Sequence, residues 1–393
     1  MTTAFWIFKL VLMVYPFCLA QAVTYNGANT RNNFGVHPFD ETIISPDSYL
    51  LLNGGGDQSL YGSLTNYGEL FVTDDNNGAL APIFDVLKAD HVRNYGDIVL
   101  DQCDALFSSV YHWTPDEFVN TGNIWFKGKG NVGGSSFDIN PFDDVVNNGT
   151  INYVQCYSND PVGGLFGAFF IHTQDPLKSI VQNNGGICLH NVKFQALQDI
   201  RGDGCVTIGE GAGYFLEVGA LTSAKDGSVM NGGTIYMSAS NSHLRIDESY
   251  FKAGTLGAYV AGFGNGNIIE VNGIITTVDY NDGNLRICIV FGCLDINIGP
   301  GYDPSLFEHS MIGQLIGDSA GHYTVKYNGA PPSGRPSSCP VCPSAPSGPS
   351  LSQSSSDRDD SDSKSVSGST GITASTFTTV TLSGPSADTT TVV

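Results

Sequence analysis

Charge is what this sequence has least of. Only 14% of its 393 residues are charged, and 17 Lys and Arg stand against 38 Asp and Glu, for a net charge of -21. That is the reverse of the basic footprint that nucleic acid demands, so nucleic acid is excluded as a partner. The acid excess favours solubility and resists non-specific contact without naming a ligand. Heptads and coiled-coil charge patterns are missing, and long helical stretches are few. Beyond the first twenty residues nothing reads as a membrane span. What is abundant is Gly and Asn, and they recur in order.

The recurring phrase is Asn-x-Gly-x-(Ile/Leu/Val)-x-apolar. Its clearest copy is Asn120-Thr121-Gly122-Asn123-Ile124-Trp125-Phe126. Others begin at Asn66, Asn94, Asn147, Asn183 and Asn231, with looser copies at Gly202 and Gly264. The first four lie about 26 to 28 residues apart, a period of solenoid size. Gly tolerates positive φ and Asn tolerates it better than most residues, so the pair reads as a tight corner. After the corner, alternation puts Ile124 and Phe126 on one face of a strand. A strand with one apolar face gains stability by stacking on copies of itself. The expected fold is all-β: a right-handed parallel β-helix over 21–270, capped by a small antiparallel β subdomain over 271–330. A disordered Ser/Thr-rich tail over 331–393 follows. The handedness comes from the family resemblance described below. Unrelated Asn-Gly hairpins are the plainer alternative.

Residues 1–20 read as a secretory signal. An apolar run from Leu10 to Phe17 ends in small residues at Cys18-Leu19-Ala20, and it is short for a membrane span. Leu50-Leu51-Leu52 followed by Asn53-Gly54 looks like an imperfect first repeat with a capping role. The insertions Tyr157–Gly167 and Asp247–Gly264 are expected to be exposed loops. Asn281-Asp282-Gly283-Asn284 marks a hairpin, and His322–Tyr327 reads as a strand. From Gly329 onward the chain is Pro-rich, then Ser/Thr-rich, a composition that cannot offset chain entropy by burial and that suits an O-glycosylated stalk. Its ending carries no hydrophobic tail of the kind that directs a GPI anchor.

Eight cysteines remain after the signal: Cys103, Cys156, Cys188, Cys205, Cys288, Cys293, Cys339 and Cys342. An even count in a secreted chain points to disulfides. Cys288 with Cys293 can clip the hairpin, Cys339 with Cys342 can close the base of the stalk, and Cys188 with Cys205 can bridge neighbouring repeats. Cys103 and Cys156 can equally be buried free thiols. Asn148-Gly149-Thr150 is a glycosylation sequon on a repeat corner.

Catalytic signals are weak. Gly317-Asp318-Ser319-Ala320-Gly321 fits the serine-hydrolase pattern but lacks its strand–turn–helix setting, and neither His172 nor His190 has a recognisable catalytic context. The adjacent pairs Asp74-Asp75 and Asp143-Asp144 would point to opposite faces of a strand. Arg201-Gly202-Asp203 overlaps a corner, where Gly and Asp belong anyway. Tyr67, Tyr95 and Trp113 are candidate stacking residues for sugars or apolar surfaces, or packing residues of the repeats. No catalytic, cofactor or metal residue is assigned.

The stretches Phe118–Phe126 and Gly62–Val72, with Tyr323–Pro332 leading to Cys339, resemble the N-terminal domain of the hyphally regulated cell wall proteins of yeasts. The resemblance covers about residues 21–342. It implies a right-handed β-helix followed by a small β-sandwich-like subdomain, carried as the exposed tip of a wall adhesin. It brings no catalytic residues with it. The expected function is a secreted, non-enzymatic adhesin-like protein of the fungal cell wall. Its ligands would be cell-surface or abiotic, with wall polysaccharide among them. A β-helical polysaccharide-active enzyme and a purely structural wall glycoprotein are the alternatives.

Overall fold

The computed structural model describes residues 22–349 except 33–35, 55–57, 74–82, 88, 105–108, 129–135, 157–167, 175–178, 197, 199, 217–231 and 314–321. In the tail it describes 380–383 and 390–392. The signal segment and the Gly317–Gly321 motif therefore lie outside the described residues, as do the 157–167 insertion and Asp74-Asp75. Among the described residues the chain is β-structure throughout, save the one-turn helix Ser249–Ala253 and the 3-10 turn Pro304–Leu306.

Each repeat supplies three strands. One copy runs Glu117–Asn120, then after the corner Asn123–Gly128, then Ser136–Ile139. The next runs Val145–Asn147, Thr150–Gln155 and Ala168–Ile171. Every strand pairs parallel and in register with its counterparts one repeat away. Phe118 faces Val92 and Val145, Ile124 faces Ile98 and Ile151, and Tyr111 faces Phe84 and Phe137. Three parallel ladders result: pre-corner, post-corner and return. The first and last share one 20-stranded sheet that also takes in cap and tail strands, and the post-corner ladder, with the strands of the 275–297 meander, forms a second of 13.

The alternation read from the sequence sets what is buried. Ile98 and Leu100, Ile124 and Phe126, and Ile151 and Tyr153 point inward along the post-corner ladder. They meet rings from the return ladder, where Tyr111 lies 4.6 Å from Phe137 and 5.8 Å from Phe126 between ring centroids. Tyr153 continues the column at 5.3 Å from both Phe126 and Phe194.

The corners work differently from the sequence expectation. None of Asn66, Asn94, Asn120, Asn147 and Asn183, nor Gly68, Gly96, Gly122, Gly149 and Gly185, has positive φ. Gly is required because successive corners nest. A Cβ on Gly122 would fall on the carbonyl oxygen of Gly96, and one on Gly149 on that of Gly122. Asn is required because its side chain turns inward and is buried. Asn66 Nδ2 donates to Asn94 Oδ1 at 2.8 Å, Asn94 to Asn120 at 2.8 Å, Asn120 to Asn147 at 2.8 Å and Asn147 to Asn183 at 2.7 Å. The same amides donate to the backbone oxygens of Asp97, Asn123, Thr150 and Gly186. Positive φ does serve the later corners, at Gly202 (103°) and Gly233 (78°).

Past Asn272 the strands turn antiparallel. Ile275–Asn281, Asn284–Ile289 and Gly292–Asn297 form a meander whose tight turn places Asp282 at φ 46° and Gly283 at 87°. His322–Tyr327 pairs antiparallel onto Ile268–Asn272, the last parallel strand of the return ladder, and Phe307–Gly313 pairs antiparallel onto His322–Tyr327. The expectation of an exposed loop over Asp247–Gly264 is corrected. That stretch holds the helix Ser249–Ala253, with Tyr250 and Phe251 buried, and the strand Thr255–Ala261.

The expectation of an unfolded tail from 331 is corrected for residues 331–349. Residues 338–348 lie as a strap over the post-corner sheet, because Cys339 and Cys342 bind it there. Further on, Val380–Ser383 pairs antiparallel with Ala22–Tyr25 and with Thr390–Val392.

Candidate functional site

The outward face of the post-corner ladder is where the molecule departs from plain alternation. Leu51, Phe71, Val99 and Trp125 point away from the core yet are buried. The strap covers them, with Ala345 packed on the cluster and the Gly348 backbone lying against the Phe71 ring. Trp125 Nε1 donates to the carbonyl of Pro343 at 3.1 Å, which meets the one polar need of a buried indole. Upstream, the Ser338 and Thr234 hydroxyls share a hydrogen bond of 2.9 Å. The Pro340 ring sits so close to Gly186 that a Cβ there would lie 2.7 Å from its Cγ.

The disulfides fix this course. Cys342 bonds Cys188 and Cys339 bonds Cys205, each joining the strap to a post-corner strand. The local pairings Cys339–Cys342 and Cys188–Cys205 are not those formed. Cys103 bonds Cys156, joining the segments that follow two post-corner strands, and neither is a free thiol. Cys288 bonds Cys293 across the meander.

Beside the strap the sheet opens into a cleft of about 620 Å³. Cys342, Pro343 and Ala345 form one wall. Trp125, Asn152 and Thr207, all buried, form its floor, while Lys127 and Glu210 supply charge and His190 an imidazole. Lys127 is ion-paired with Asp101. Both signs of charge, an imidazole and the exposed hydroxyls of Ser238 and Ser344 thus line one open groove above a buried floor, a mixture suited to a polar ligand.

The other sequence candidates are dispersed. Tyr67 and Tyr95 are exposed at 47% and 44%, on consecutive corners, with rings stacked 4.9 Å apart. Trp113 is fully buried in the core, so its stacking role is excluded. Asn148 is exposed at its corner, its Oδ1 accepting from Asn184 Nδ2 at 2.9 Å, while the Thr150 hydroxyl donates to Asn123 Oδ1 at 2.7 Å. Arg201 and Asp203 are exposed on either side of Gly202. Asp144 accepts from the backbone of Ile180 at 2.7 Å, a structural use of that carboxylate. His172 lies 3.2 Å from Asp138, and His190 lines the cleft.

A cluster that sequence reasoning missed sits where the return ladder meets the antiparallel cap. Glu270 lies 2.7 Å from His243 Nε2 and from His322 Nδ1, and 3.6 Å from Arg245 Nε. Burial alone would raise its carboxyl. The hydrogen bond from His243, with the charges of His243, Arg245 and His322, outweighs that and holds it below the usual carboxylate range. These four residues are scattered in sequence, and only strand register unites them.

A parallel all-β fold of repeats, latched by cysteines and without a helix among the described residues long and apolar enough to cross a membrane, defines a disulfide-bonded repeat module. The profile of the hyphally regulated cell wall protein N-terminal family matches residues 11–349. The chain belongs to that family and is a protein of the fungal cell wall or surface. It is 28% identical over 341 residues to Cell wall protein RBR3 of Candida albicans, covering 82% of this chain and 20% of that protein. To Hyphally regulated cell wall protein 4 of the same yeast it is 26% identical, covering 85% of this chain and 26% of the relative. Adhesin AWP2 of Candida glabrata is 24% identical over 76% of this chain and 34% of its own length. The chain thus spans between a fifth and about a third of these relatives. They are named as wall proteins and adhesins, not enzymes.

Proposed function

We propose that the three ladders wind as a right-handed β-helix and that this module is adhesive, using the cleft beside the strap. In-register parallel strands joined by crossovers support the winding, and such crossovers are right-handed in about 98% of cases. The cleft is the observation that carries the adhesive reading. Its exposed hydroxyls, imidazole and charges of both signs fit a hydroxyl-rich chain such as a cell-surface or wall polysaccharide. Each contact would be weak, and many copies on one wall would supply avidity. Asn148, proposed as glycosylated, sits at the corner preceding a post-corner strand, whereas Val154 of that strand lines the cleft. About four residues of strand, roughly 13 Å, separate Thr150 from Val154.

The test is display of the full chain on a non-adhesive yeast, scored for attachment to wall polysaccharide, plastic and other cells. A fragment ending at residue 330 would remove the strap and leave Cys188 and Cys205 without partners. Attachment that falls at least fivefold in a Lys127→Ala/Glu210→Ala variant supports the reading. Attachment equal to that of an empty carrier, from a folded and displayed chain, refutes it.

A further inference from the structure

The strap changes where the rest of the chain leaves the fold. Sequence order would put the exit beyond the antiparallel cap. Instead the strap doubles back across successive post-corner strands. Ser338 touches Thr234, Cys339 holds Cys205, Cys342 holds Cys188, Pro343 meets Trp125 and Gly348 meets Phe71. Between Cys188 and Phe71 lie four strand spacings, about 19 Å at ~4.8 Å each. The six residues from Cys342 to Gly348 span about 20 Å when extended at ~3.3 Å per residue. The strap is therefore near full extension. At residue 349 the chain leaves beside the early repeats.

We propose that the two strap disulfides are a force bypass. They take tension on the following tail directly into the Gly186–His190 strand. The Cys188–Cys342 loop encloses a sequence separation of 154, and the Cys205–Cys339 loop of 134 nests inside it. Tension between the early repeats and the tail crosses the sulfur bridge at Cys188. The later repeats and the whole antiparallel cap then carry none of it. Residues 343–349 lie along the pull. Their contacts with Trp125 and the apolar cluster are loaded in shear, and so must fail together rather than one by one. The cleft borders Cys342 itself, so the path from a ligand held there to the tail is a few residues long. The bypass does not depend on what the cleft binds.

Single-molecule stretching of the full mature chain by its two ends tests this. At ~3.6 Å per residue the span 22–349 corresponds to about 118 nm of chain. With the 154-residue and 53-residue loops closed, unfolding releases about 44 nm at that same length per residue. A Cys339→Ser/Cys342→Ser variant keeps the Cys103–Cys156 and Cys288–Cys293 loops and releases about 97 nm. If that variant does not fold, the oxidised wild-type chain is compared with the same chain reduced after folding, which releases the full length. Equal release from oxidised and strap-free or reduced chains overturns the proposal, and so does release above about 100 nm from the oxidised protein.

Discussion

Replacing Asn120 by Ala tests whether the buried amides, rather than the corner turns, hold the repeats in register. Asn120 donates to Asn147 Oδ1 and to the Thr150 carbonyl, and accepts from Asn94. Ala removes three hydrogen bonds, each worth about 1 kcal/mol net. Asn94 Nδ2 keeps its bonds to the oxygens of Gly96 and Asn123. Asn147 Oδ1 loses its donor in a buried site and adds roughly 1 kcal/mol more. The expected loss is about 3 to 4 kcal/mol, read as a lower urea midpoint with an unchanged m-value. Asn120→Asp keeps the shape but places a carboxylate oxygen against Asn147 Oδ1 with no proton between, so it should cost more than Ala. Thr121→Ala, at the exposed neighbouring position, should stay within about 0.5 kcal/mol. A loss below about 1 kcal/mol for Asn120→Ala, or a tolerated Asp, would refute the reasoning.

Gly122→Ala should cost about 3 kcal/mol, because its Cβ meets the Gly96 carbonyl. Gly27→Ala, at φ 71° with open space around the Cβ, should cost only about 1 kcal/mol; urea unfolding of both separates nesting from backbone strain, and equal costs would remove the nesting argument. Glu270→Gln should cost about 3 kcal/mol at neutral pH by leaving Arg245 and the two histidines without their carboxylate. Since the folded Glu270 titrates below its ordinary value, its contribution is present above about pH 4.3 and is lost as pH falls through the depressed folded value. Thermal midpoints from pH 6 to pH 3 should therefore fall more steeply in the wild-type chain than in Glu270→Gln, and parallel curves would count against that assignment.

Much of the core was legible because burial follows strand parity. Ile124 and Phe126, or Ile151 and Tyr153, announce an inward face by alternation alone. The corners from Asn66 to Asn183 were recognised for the wrong reason, whereas those at Gly202 and Gly233 use the expected positive φ. Asn-Gly has a sufficient local explanation as a turn, and no single copy reveals that identical residues will superpose one strand spacing apart and bond to each other. The strap was illegible from either side. Leu51, Val99 and Trp125 are apolar where parity calls for polar residues, and the segment that covers them has the composition of a linker. Each half looks like noise until the two are brought together. The pairings of Cys188, Cys205, Cys339 and Cys342 failed similarly, since sequence separations of 134 and 154 carry no information about distance in space, whereas Cys288 and Cys293, near in sequence, pair as read.

The amide ladder has a direction. Every Nδ2 from Asn66 to Asn147 gives its proton to the next repeat, and Asn183 ends the series on the Cys205 carbonyl. A unit inserted between any two of these rungs would find one acceptor ahead of it and one donor behind it, as its neighbours do. As far as the amides are concerned, whole repeats can therefore be added or removed without redesigning a contact between rungs. The strap sets the limit, because its span from Phe71 to Cys188 crosses all four intervals of the ladder. Its near-extended residues have no slack, and a repeat gained there would demand a matching gain of chain at the far end of the gene.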